Sequence, residues 1–66
     1  MTDQELVALL LEEGRAQLAM VRNAARYDAA PSATVLDNGV GLLHEWNEAR
    51  TKLRAAVMDR LEQEAA

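Results

Sequence analysis

The apolar positions of this chain recur with the period of an α-helix over most of its length. In the second half, apolar and small residues follow one another at alternating intervals of three and four, which places them on one stripe of a helix. Such a stripe packs against another helix, and the only tryptophan lies within it. The stripe consists of Leu36, Gly39, Leu43, Trp46, Arg50, Leu53, Val57 and Arg60, with Leu61 on its flank.

The first half predicts another amphipathic helix, from about residue 3 to about residue 27. Thr2 and Glu5 have the spacing of a capping box at its start. One wide face of this helix is apolar and the opposite face is polar. The apolar face holds Leu6, Val7, Leu10, Leu11, Gly14, Leu18, Val21 and Ala25, and the polar face holds Glu5, Glu12, Arg15, Arg22, Asn23 and Arg26.

The helices are separated at Pro31, which lacks an amide donor and disfavours helical geometry in the residue before it. Ser32 can cap the second helix, which we expect from about residue 32 to about residue 64. Asn38 to Gly41 weaken it, so a bend at 38–41 or a separate turn over 32–38 stays open. The sequence predicts one domain over 1–66, an all-α antiparallel helical hairpin.

A hairpin turn near residues 29 and 30 pairs residues whose numbers sum to about 60, which places Gly14 opposite Trp46. Two helices alone cannot cover both wide apolar faces. We therefore expect the hairpin to form a homodimer, a four-helix bundle. The predicted hairpin or dimer seam is Leu6, Val7, Leu10, Gly14, Leu18, Val21, Leu36, Gly39, Leu43, Trp46, Arg50, Leu53, Val57 and Leu61.

The composition of the chain argues against several classes of structure and function. The 66 residues include no cysteine, so disulfides are excluded and a reducing cytoplasm is the expected location. No apolar run approaches the ~20 residues that cross a bilayer. The net charge of −4 argues against binding to the phosphate backbone of nucleic acids and to anionic lipid.

Candidate chemistry is sparse. His44 is the only histidine, and no second histidine or cysteine follows it four residues later. Glu45 and Glu48 are predicted to point away from the seam into solvent. With no nucleophile–base arrangement and no phosphate-binding motif, we expect no catalytic residues, no cofactor and no metal, and hence no enzyme.

Protein association is the expected role. Trp46 is either a core anchor or a hot spot for another protein. The end where the two chain termini meet has a net charge of −6 and would steer a basic partner. The candidate partner-binding residues are Trp46, Leu42, Glu12, Glu13, Asp59 and Glu62, and a weak nucleic-acid row is Arg15, Arg22 and Arg26.

In architecture, with two helices, a short turn and a heptad seam, the chain resembles plasmid copy-number regulators of the Rop type. No motif is shared residue by residue, so RNA binding does not carry over. We expect a small regulatory or inhibitory homodimer that binds an unidentified protein, of the kind found among phage-encoded and accessory modulators of bacterial proteins. The alternatives are a Rop-like nucleic-acid-binding dimer and a structural subunit of a larger helical assembly.

Overall fold

Two long α-helices account for nearly all of residues 2–66, the part of the chain that the computed structural model describes. α1 spans Asp3–Ala29 and α2 spans Ala33–Ala65, so the predicted all-α hairpin is confirmed. The helices are antiparallel, because Asp3 at the start of α1 contacts Arg60 near the end of α2. α1 ends two residues later than predicted, and the bounds of α2 differ from the prediction by one residue at each end.

Side-chain caps define where both helices begin. The Thr2 hydroxyl oxygen accepts a hydrogen bond from the Glu5 amide at 3.2 Å. The same hydroxyl donates to the Glu5 carboxylate, so the Glu5 side chain meets the Thr2 hydroxyl rather than the Thr2 amide as a capping box would have it. Ser32 accepts from the Val35 amide at 3.1 Å and caps α2. Each cap satisfies an amide that has no partner within its helix.

α2 is continuous through Gly39 and Gly41, and no separate turn forms over residues 32–38. With 33 residues it is longer than α1, which has 27. Because Asp3 lies beside Arg60, the last residues of α2 extend past the start of α1. The difference in helix length therefore appears as an overhang at the end that holds both termini.

The two helices meet along a heptad seam whose members are buried or half-buried. Intervals of three and four residues alternate along it in both helices, as in coiled-coil packing. From α1 the seam takes Leu6, Leu9, Glu13, Ala16, Met20, Asn23 and Tyr27, and from α2 it takes Val35, Gly39, Leu42, Trp46, Ala49, Leu53, Ala56 and Arg60.

This seam differs from the predicted one by a rotation of roughly 100° around α1 and roughly 50° around α2. Only four predicted seam residues lie between the helices: Leu6, Gly39, Trp46 and Leu53. The other ten are exposed in the single chain and do not form the interior of the hairpin, so their place in a dimer seam stays a prediction: Val7, Leu10, Gly14, Leu18, Val21, Leu36, Leu43, Arg50, Val57 and Leu61.

Two polar residues explain the rotation. Asn23, predicted on the polar face, is 7% exposed, and its Nδ2 donates to the Val35 carbonyl oxygen at 2.9 Å. Glu13 accepts a hydrogen bond from Trp46 Nε1 at 2.8 Å. A hydrophobicity pattern assigns both residues to solvent, whereas each has a hydrogen-bond partner across the seam.

The predicted contact between Gly14 and Trp46 is wrong. Glu13, one residue earlier, contacts the Trp46 indole instead. A Cβ built on Gly14 would have no neighbouring atom within 4 Å. Close approach of the helices relies instead on the small side chains of Ala49 and Ala56, which are the two fully buried apolar residues of the described chain.

Candidate association surface

Eight of the fifteen residues that follow a seam residue by one position are large, aliphatic and exposed. Val21 is 55% exposed and Leu10 is 54% exposed. We call this surface the apolar face. Its members are Val7, Leu10, Gly14, Leu18 and Val21 on α1 and Leu36, Val40, Leu43, Val57 and Leu61 on α2.

Both halves of the apolar face lie on the same side of the hairpin. The two helices run in opposite directions, so a rotation of one residue past the seam turns both helices toward the same broad surface. A cleft near the turn confirms this placement, because Ala24 of α1 and Leu36, Val40 and Leu43 of α2 line it together. The face is thus continuous across two helices.

The opposite surface, which we call the polar face, is built from charged residues. Acidic and basic side chains alternate around its clefts, and Lys52 Nζ lies 3.6 Å from Glu12 Oε1. Residues of this face are Glu12, Arg15, Arg26, Asp37, Glu45, Glu48 and Lys52. The hairpin is therefore amphipathic as a whole, with a charged side and an aliphatic side.

The predicted nucleic-acid row falls on the charged side of α1. Arg15 shares a cleft with Glu12, Glu45 and Glu48, and Arg26 shares one with Asp37 and Glu45. Arg22 is exposed between them. Because carboxylates alternate with these arginines, the local field that would attract a phosphate backbone is weakened.

Trp46 forms a polar cluster at the middle of the seam. Its indole nitrogen donates to Glu13, and the Arg50 guanidinium lies 4.5 Å from the centre of its ring. Arg50 also donates to Asn47 Oδ1 at 3.2 Å. Arg50, predicted as a seam residue, is exposed and packs on the Trp46 ring by a cation–π interaction.

The end of the hairpin that holds both termini, the open end, carries the acidic excess. Arg60 is its basic centre, contacting Asp3 across the helices and Glu64 Oε1 at 3.4 Å along α2. The hydrogen bond to Asp3, followed by the charges of Asp3 and Glu64, raises the pKa of the Arg60 guanidinium. Asp59 and Glu62 are exposed beside it.

The candidate partner-binding residues do not form one site. Trp46 and Leu42 belong to the seam, and Glu13 is committed to the Trp46 indole. Glu12 lies on the polar face, about two turns of helix from the open end. Asp59 and Glu62 remain together at the open end, exposed to solvent.

The residues that could act in catalysis or bind a metal do not form a site in the described part of the chain. His44 is exposed and borders a shallow cleft with Asn47, Glu48 and Thr51. Within residues 2–66, no group of three or more His, Cys, Asp or Glu residues is placed to hold a metal ion. Neither helix, over the same residues, combines the length and the apolar character needed to cross a membrane.

The sequence contains a signal for the observed seam, although it is weaker than the signal for the apolar face. Leu6, Leu9, Met20 and Tyr27 fall on the heptad positions of the observed seam in α1. Glu13 and Asn23 occupy other positions of the same seam, and because they are polar, a search for apolar periodicity does not find this register. The apolar face, by contrast, carries the large aliphatic residues and dominates the pattern.

The chain matches no protein-family model, and comparison with curated proteins and with solved structures gives no match.

Proposed function

We propose that this protein is a small non-enzymatic regulator that forms a homodimer and acts by binding another protein. The apolar face is the observation that carries the proposal. Full burial of a single Leu or Val side chain stabilises by about 1.5–3 kcal/mol, and nine large aliphatic residues of this face lie outside the seam. A face of this size marks an association surface on a soluble protein.

Association with a second copy of the chain is the simplest way to bury the apolar face. Every copy carries the same face, and two-fold homodimers are the commonest oligomers. Stacking two hairpins by their apolar faces gives a four-helix bundle with its polar faces outward. The thin interior of the hairpin supports this, because Ala49 and Ala56 are the only fully buried apolar residues among those described.

Sedimentation velocity tests the dimer. We expect the wild-type protein to sediment as a dimer at micromolar concentration and Val21→Glu to sediment as a monomer, because the new carboxylate would be buried unpaired among aliphatic side chains. His44→Glu is the control, since His44 is exposed and borders a cleft of polar residues. A monomeric wild-type protein, or equal effects of the two variants, contradicts the proposal.

The open end supplies the surface for a different protein. It stays exposed when the apolar face is covered, and its carboxylates would attract a basic surface over a short range. We place the protein in the cytoplasm, in keeping with its cysteine-free sequence, as a modulator of the phage-encoded or bacterial accessory type. Binding rather than chemistry is its proposed mode of action.

A capture experiment from native bacterial lysate tests partner binding. We expect the wild-type protein to retain a protein that the pair Asp59→Lys and Glu62→Lys no longer retains. The control pair Glu45→Lys and Glu48→Lys makes the same charge change on the polar face. Retention should fall as salt rises. Equal retention by both pairs, or no retained protein at all, would count against this role.

A further inference from the structure

The arrangement of residues on the apolar face carries information about the geometry of the dimer. On α1, Gly14 lies at the centre, Leu10 and Leu18 lie four residues to either side, and Val7 and Val21 lie seven residues to either side. Heptad spacing mirrors positions by itself, but here the residue types mirror as well. α1 therefore presents the order Val, Leu, Gly, Leu, Val in both directions.

The face of α2 is mirrored at its outer positions. Leu36 corresponds to Leu61, and Val40 corresponds to Val57, about a centre between Glu48 and Ala49. Nearer the centre, Leu43 corresponds to Arg54 and Asn47 corresponds to Arg50, so the inner positions combine one aliphatic residue with three polar ones.

The two centres lie at nearly the same level along the hairpin. Glu13 of α1 contacts Trp46, and Glu12 contacts Lys52, so Gly14 is level with the part of α2 around Glu48. A single two-fold axis perpendicular to the helices can therefore serve both. An interface with such an axis is isologous, which means that if one residue contacts a second residue of the partner, the second also contacts the first residue of the partner.

We propose that the apolar face binds a second copy of this chain head to tail, with the two-fold axis passing beside Gly14. The inference rests on the proposed homodimer and specifies its arrangement. α1 then packs on α1 of the partner with Val7 against Val21 and Leu10 against Leu18. α2 packs on α2 of the partner with Leu36 against Leu61.

Gly14 suits the position on the axis, where a residue meets its own copy. It is exposed, and no atom lies within 4 Å of the place a Cβ would occupy. Packing within the chain therefore does not require a glycine here, although a glycine in a helix interior costs about 1 kcal/mol relative to alanine. The absence of a side chain would let the two α1 backbones approach closely.

Charge also favours the head-to-tail arrangement. A same-direction dimer would place the two acidic open ends side by side. The head-to-tail arrangement separates the open ends by about the length of the hairpin, 51 Å, several times the ~8 Å Debye length at physiological salt.

The dimensions of the face match those of a stable interface. The hairpin measures 51 Å along its axis and 15 Å across the two helices. The side of the hairpin that carries the apolar face thus has an outline of roughly 750 Å², of the same order as the ~800 Å² that each partner buries in standard protein interfaces. One copy thus suffices to cover the face of another.

Spin labels on introduced cysteines test the arrangement, since the sequence has no cysteine of its own. Ala30→Cys labels the turn and Ala66→Cys labels the open end, both at exposed positions. In a head-to-tail dimer, each variant alone should give a label separation near the 51 Å length of the hairpin. A mixture of the two variants should add a separation within about 20 Å, roughly two helix diameters.

The outcomes distinguish the arrangement from the dimer itself. A short separation for Ala30→Cys alone, in a sample that sediments as a dimer, overturns the head-to-tail arrangement and leaves the homodimer intact. A monomer in sedimentation overturns both. Circular dichroism of each labelled variant confirms that the hairpin is folded before the distances are compared.

Substitution at the axis supplies an independent test. Gly14→Leu introduces two facing side chains at one point and should raise the dimer dissociation constant at least about tenfold, the effect of overpacking an interior. Gly41→Leu is the matched control, because Gly41 also has no neighbour within 4 Å and lies on the polar side of α2. Equal dissociation constants for the two variants would place the axis elsewhere.

Discussion

At the scale of single residues, the glycines of α2 differ in what surrounds them. A Cβ on Gly39 would lie 3.0 Å from Asn23 Nδ2, whereas a Cβ on Gly41 would meet no atom within 4 Å. Asn23 cannot move freely, because it is buried and its Nδ2 donates to the Val35 carbonyl. Gly39 therefore provides the space that the Asn23 amide occupies.

This difference predicts opposite outcomes for the same substitution. Gly41→Ala should stabilise the fold by about 0.5–1 kcal/mol, because alanine has the higher helix propensity and restricts the unfolded chain. Gly39→Ala should give no gain, or a loss of up to about 1 kcal/mol, because contact with Asn23 offsets the propensity. Urea unfolding of the two variants measures both, and equal gains would show that Asn23 can move aside.

At the scale of the elements, the two helices are joined by a hydrogen bond from Trp46 to Glu13, and the neighbouring Glu12 makes only an exposed ion pair. Glu13→Ala should cost about 1–2 kcal/mol, because it leaves the half-buried indole N–H without a charged acceptor. Glu12→Ala should change stability by less than about 0.5 kcal/mol. Glu13→Gln, which keeps an acceptor oxygen, should recover part of the loss in thermal unfolding. Identical Tm values for Glu13→Ala and Glu12→Ala would show that the Trp46 contact contributes nothing.

The helices themselves could be predicted from the sequence, but their rotation could not. The ends of the helices depend on residues that are neighbours in the sequence, namely the caps Thr2 and Ser32 and the helix-breaking Pro31. They can therefore be predicted without knowledge of the tertiary structure. The seam depends on which of two apolar stripes faces inward. Asn23 and Glu13 decide this through hydrogen bonds across the seam, and such partners are visible only when both helices are in place.

At the scale of the whole molecule, the hairpin divides its residues between a charged surface and an aliphatic one. The seam holds two buried apolar residues, while eleven large hydrophobic residues are exposed by 38% or more. Ten residues of the predicted seam lie on the outside of the hairpin, where the proposed second copy would cover them.

The proposed dimer makes thermal stability depend on concentration. Association stabilises the folded state by mass action, so hundredfold dilution should remove about 2.7 kcal/mol and lower Tm by roughly 10 °C for a bundle of this size. Val21→Glu, expected to be monomeric, should melt at a lower temperature that does not change on dilution. His44→Glu should keep the wild-type dependence, because its side chain lies away from the apolar face. A wild-type Tm that stays constant from micromolar to hundreds of micromolar, together with a cooperative transition, would mean that the hairpin folds alone with its aliphatic side in water.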